Sequence, residues 1–84
     1  MTTGVQFTGT LTANQTQKWF TFNWNPASYM LWVVVPTSIT STGQEVTWSV
    51  AVQRVTATAC TYWITVTNLT AATITFEARY AILP

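Results

Sequence analysis

The sequence predicts an all-β domain, a small antiparallel β-sandwich, jelly-roll-like or barrel-like, of about six strands. Three observations predict it. Apolar and polar residues alternate with a period of two along most of the chain, which marks half-buried strands. Short stretches with turn chemistry, such as Asn25-Pro26-Ala27-Ser28, separate these segments. No stretch of about ten residues keeps a helical period. Connections this short favour antiparallel neighbours.

The first strand is expected over residues 5–12 and the second over 17–24, where Lys18, Phe20, Phe22 and Trp24 share one face. The third, over 29–36, is a nearly continuous apolar run, which predicts burial on both faces. The fourth, over 45–55, sets Val46, Trp48, Val50 and Val52 against Thr47, Ser49, Ala51 and Gln53. In the fifth, over 60–68, Cys60, Tyr62, Ile64 and Val66 oppose Thr61, Trp63, Thr65 and Thr67. The sixth, over 73–82, alternates most cleanly: Ile74, Phe76, Ala78, Tyr80 and Ile82 against Thr75, Glu77 and Arg79. Residues 37–43 form a polar loop, 68–72 a connector, and 56–59 either a turn or a bulge in one long hairpin. Trp19 and Trp32 flank one presumed hairpin, and Trp48 and Trp63 another.

Residues 1–84 make one domain. A chain of this size buries only about two-thirds of the surface its unfolded form exposes, so its stability needs support. The single cysteine, Cys60, allows no internal disulfide. A dense aromatic core or burial against a partner must supply the support. Charge is sparse: Lys18, Arg54 and Arg79 against Glu45 and Glu77, with no Asp and no His. Charged residues make up 6% of the chain, against roughly a quarter in ordinary soluble domains. Thr, at 19 positions, takes over much of the wetted surface and suits strands through its branched Cβ.

Three scattered cations make no basic stripe, so nucleic acid is excluded as a partner. No apolar run approaches the roughly 20 residues of a spanning helix, so no transmembrane segment is expected. Met1-Thr2-Thr3-Gly4 shows no basic segment leading into an apolar run, so no secretory leader is legible. The composition favours an extracellular or cell-surface setting.

Gly9-Thr10-Leu11-Thr12-Ala13, followed by Gln15, Trp19, Phe20, Thr21 and Phe22, resembles the opening of bacterial pre-peptidase C-terminal-type β-sandwich domains. The resemblance covers roughly the first quarter of the chain. It implies a sandwich fold and a non-catalytic accessory role. Those domains tend to carry an Asp-rich stretch, some of it binding calcium, whereas this chain has no Asp.

The inventory for catalysis is nearly empty. Only Glu45 and Glu77 could act as general acid or base, and Glu77 sits two residues from Arg79 on one strand face, the spacing of an exposed ion pair. Cys60 has no His to activate it and shares a face with Tyr62, Ile64 and Val66, which makes it a small core residue. An intermolecular disulfide through Cys60 is the other reading. Gly4, Gly9 and Gly43 form no phosphate-binding loop. No metal and no cofactor is expected. Asn14-Gln15-Thr16 and Asn68-Leu69-Thr70 fit the glycosylation triplet.

What remains is contact chemistry, carried by five Trp, three Tyr and four Phe. Phe20, Phe22, Trp48, Phe76 and Tyr80 are expected in the core. Trp19 and Trp63 lie on faces otherwise lined by Thr and Gln, so both are expected at the surface. Interfaces gather Trp and Tyr and exclude charge at their centres. Few edge guards exist beyond Lys18 and Pro36. The function expected is self-association into a homo-oligomer or extended assembly, with Trp19 and Trp63 as contacts. The alternative is a lectin-like module that stacks a neutral carbohydrate on Trp19 or Trp63, with Asn14, Gln15, Asn23 and Asn25, which lie near Trp19 and Trp24 in sequence, bonding its hydroxyls; Trp24 is a further contact candidate.

Overall fold

The computed structural model describes residues 1–40 and 43–84. Positions 41 and 42 of the expected 37–43 loop lie outside the described residues. Six antiparallel strands and no helix make up the described fold: β1 (Thr2–Leu11), β2 (Thr16–Trp24), β3 (Tyr29–Pro36), β4 (Val46–Thr56), β5 (Ala59–Asn68) and β6 (Ile74–Leu83). They form two three-stranded sheets, ordered β1-β6-β3 and β2-β5-β4. The sheets pack as a sandwich. Phe7 of β1 stacks on Trp19 of β2 with ring centroids 5.3 Å apart, and β3 lies against β4.

The core follows from alternation in the two central strands. β6 turns Ile74, Phe76 and Ala78 inward, and β5 turns Ile64 and Val66 inward, all buried. Leu11 of β1 and Val34 of β3 complete the cluster. Trp19 and Phe7 close it on one side, with Trp19 edge-on to Phe76 at 5.3 Å. These rings fit because Gly9 has no side chain. A Cβ there would meet Phe76 Cζ at 2.5 Å and Trp19 Cζ2 at 3.2 Å. Gly9→Ala is therefore expected to lower stability by about 1–3 kcal/mol through overpacking, measured as a fall in the urea midpoint at unchanged slope.

Three sequence expectations change at the edges. β2 does not pair with β3, so the hairpin between Trp19 and Trp32 is absent; β2 pairs β5, and β3 pairs β6. The turn after β2 carries the chain from one sheet to the other. There, Ser28 N–H donates to Asn25 O at 3.0 Å and Ala27 N–H to Asn25 Oδ1 at 2.9 Å. The hairpin between Trp48 and Trp63 does form, as β4–β5. Second, β3 is an edge strand rather than one buried on both faces, and Tyr29, Leu31 and Val33 are exposed. Third, β2 has the opposite facing from the one its alternation suggested. Trp19 points inward, while Phe20 and Phe22 are each 64% exposed.

The facing of β2 has a local cause. Its register with β5 shifts between Thr21 and Trp24, and Asn23 sits there in the left-handed region at φ 65°. A bulge of this kind flips the parity of the strand. Trp19, Thr21 and Trp24 thus all turn inward, and Trp24 Nε1–H donates to the buried Thr21 Oγ1 at 2.8 Å.

Candidate contact surfaces

Outward side chains of the β2-β5-β4 sheet follow from its register. Phe20 pairs with Trp63, and Trp63 with Ala51 across the next ladder. The Phe20 and Phe22 rings lie 6.2 Å apart. Phe20, Phe22 and Trp63 therefore form an aromatic patch on the outer face, flanked by Thr65 and Lys18. Trp63 stands on the outer face, as its alternation with Thr61 and Thr65 predicted, and is half-buried there.

The β1-β6-β3 sheet also presents an apolar outer face. Val5 and Val33 both pair with Arg79, and Leu31 pairs with Ala81. Val5, Leu31 and Val33 are exposed, and with Ala81 they line an open, mostly apolar groove of about 570 Å³. Arg79 at this groove is paired with Glu77 at 2.9 Å, the ion pair its spacing suggested. Apolar contact area thus lies on both outer faces of a thin molecule, whose Cα extents are 43 × 24 × 16 Å.

Trp19 is withdrawn from the surface by Phe7 and Phe76. Trp24 is withdrawn as well. It meets Trp32 edge-on at 5.6 Å and Tyr80 at 5.5 Å, in a cluster that Tyr62 joins at 5.8 Å from Trp32. Burial pushes the Tyr62 phenol above its usual range, and Cys60 adds to the shift, so Tyr62 is uncharged at neutral pH. Trp19 and Trp24 are thus only partly exposed, each packed against other rings rather than standing free on the surface. The structure does bring Asn23 and Asn25 together, with Pro26, Arg54 and Thr58, around an open groove of about 360 Å³ whose lining is part polar and part apolar.

Cys60 is 7% exposed on the inner face of β5, next in register to Trp24 and Arg54. A thiol held there cannot meet one from another copy without the sheet opening, so the intermolecular disulfide is not supported. The native protein is expected to resist a thiol reagent such as dithionitrobenzoate, while the urea-unfolded chain releases its one thiol equivalent at once.

Asn68, at the end of β5 and the start of a glycosylation triplet, is 1% exposed and holds one end of the sandwich together. Its Nδ2 donates to Leu11 O at 3.2 Å, Thr12 O at 2.9 Å and Ala72 O at 2.7 Å. Its Oδ1 accepts from Thr70 N–H and Thr70 Oγ1, each at 2.8 Å. Sequence reasoning also misses Phe20, Phe22, Val5, Leu31 and Val33 as surface residues, and Trp48, expected in the core, is 38% exposed because β4 is an edge strand that the opposite sheet leaves uncovered. The one signal that could have exposed the pair on β2 is Asn23, a residue that tolerates the left-handed region, one step before Trp24.

Among the described residues, no three His, Cys, Asp or Glu side chains gather into a metal site. Among the same described residues, no helix is long and apolar enough to cross a membrane. No family model, curated protein or solved structure matches the chain.

Proposed function

We propose that the protein is a non-catalytic subunit that self-associates through its apolar faces into a homo-oligomer or an extended assembly. One observation carries this reading. Fourteen large apolar residues among the described residues are exposed, and the buried core holds only eight hydrophobic residues, the small Cys60 and Ala78 included. Contiguous apolar patches on a free monomer are normally small, and larger ones mark interaction sites. Here they include Phe20 and Phe22 on one outer face and Val5, Leu31 and Val33 on the other, with Lys18 and the Arg79–Glu77 pair among them, and Trp48, Val50 and Val52 on the uncovered inner face of β4.

Phe20→Asp combined with Trp63→Asp tests the reading, because both substitutions sit on the outer face and spare the core. The double variant is expected to keep its β-sheet circular dichroism and to lose mass by light scattering. Wild-type mass in the double variant would remove the Phe20–Trp63 patch as a contact.

A second reading has one observation in its favour, the open groove of mixed lining that unites Asn23, Asn25 and Arg54. Amide and guanidinium groups around an open groove suit the hydroxyls of a neutral carbohydrate. A glycan array probed with wild type and with Asn25→Ala decides it: a hit lost in the variant supports the groove, and no hit removes it.

A further inference from the structure

We infer that β4 is a seam through which two copies of the chain join as antiparallel neighbours about a two-fold axis at Val50. This inference rests on the self-association reading and specifies one of its contacts.

The four edge strands are not equally protected. β1 and β2 lie over one another at one side of the sandwich, and both are interrupted. The β1 register shifts between Val5 and Phe7, and the β2 register between Thr21 and Trp24. β2 also carries Lys18. Bulges and edge lysines are the devices that keep sheets from adding strands. The other side of the sandwich, formed by β3 and β4, carries no lysine, and its one register shift lies at the far end of β4, between Arg54 and Thr56. β3 is regular throughout but short, and it ends at Pro36. β4 is the longest strand, and its pairing with β5 runs without a shift from Val46 to Arg54. No lysine, proline or acidic residue stands in that span.

The inner face of β4 is also left uncovered. Trp48, Val50 and Val52 share the face of Ile64 and Val66, yet they are 38%, 41% and 60% exposed. A strand with a free edge and an open apolar face lacks a neighbour on both counts.

The sequence of β4 suits a second copy of itself. An antiparallel two-fold contact pairs each residue with its mirror position about the axis and keeps both copies' inner faces on one side. With the axis at Val50, Trp48 opposes Val52, Ser49 opposes Ala51, Thr47 opposes Gln53, and Val46 opposes Arg54. On the inner face apolar residues meet apolar residues except where Val46 meets Arg54, and small or polar residues meet on the outer one. The only charge in the span, Arg54, meets a valine, so no like charges face each other. The result is a continuous six-stranded sheet with Trp48, Val50 and Val52 of both copies side by side.

A charge swap tests the seam. Val50→Lys sets two ammonium groups opposite each other across the axis, and Val50→Glu sets two carboxylates there, which like-charge repulsion disfavours. Each variant alone is expected to lose about half of the wild-type mass by light scattering. An equimolar mixture of the two is expected to recover it. Wild-type mass in both single variants, or no recovery on mixing, overturns the seam but leaves self-association through the faces standing. A wild type that is monomeric throughout removes both.

A cross-link reads the same contact without relying on charge. In a Cys60→Ala background, Val50→Cys places two thiols across the axis at about 4.5–5.5 Å between Cα atoms, inside disulfide range. Oxidation with copper phenanthroline is expected to give a covalent dimer as the main product. Failure to cross-link in a preparation shown to be assembled overturns the seam.

Discussion

Asn68→Asp is expected to unfold most of the protein at neutral pH. The amide nitrogen it replaces faces three carbonyl oxygens, those of Leu11, Thr12 and Ala72. A carboxylate oxygen in that place turns three attractions into three repulsions, within a site that is 1% exposed. Leaving buried groups unsatisfied costs about 1–3 kcal/mol each, and more when one is charged. A domain of this size holds only about 4–13 kcal/mol in total. The loss is therefore comparable to the whole stability. Asn14→Asp, on an exposed turn in the other triplet, is the control and is expected to stay within about 0.5 kcal/mol of wild type. Urea melts of both variants check this. An Asn68→Asp midpoint equal to that of wild type would mean that the amide does not hold the β1 and β5 ends together.

Trp19→Asp and Trp63→Asp should part company sharply, although the two tryptophans look alike in sequence. Trp19 is stacked on Phe7 and edge-on to Phe76, so its removal opens the aromatic side of the core. Truncating such a ring costs about 3–5 kcal/mol, and bringing a carboxylate among those rings adds to it. The expected result is an unfolded or aggregated chain. Trp63 faces outward beside Phe20, so Trp63→Asp is expected to fold and to change assembly alone. Near-ultraviolet circular dichroism separates the cases: its signal collapses in the first variant and persists in the second. Collapse in both, or persistence in both, would contradict the facing assigned to β2.

How much of this was legible in the sequence depends on where each strand sits. β6 has the cleanest alternation in the sequence, and it is a central strand. A central strand with one face on the core has both neighbours fixed, so its pattern reports burial directly. Edge strands follow looser rules. In β2, one extra residue at Asn23 reverses the facing, and no count of alternation before it can show that. In β3, the unbroken apolar run was read as burial on both faces, yet half of it faces outward. The same residues that misled the fold reading supply the surface on which the functional proposal stands. Asn68 was hidden for another reason: its partners are backbone carbonyls far away in sequence, which leave no mark on residue type.

The mass of the wild-type protein, measured by light scattering behind a sizing column across a dilution series, tests self-association most directly. A mass that holds at a multiple of 9.4 kDa on dilution is the expected result. A mass of 9.4 kDa at every concentration would contradict it, and the outer aromatic patch, the apolar groove and the open β4 edge would then need an occupant other than the protein itself.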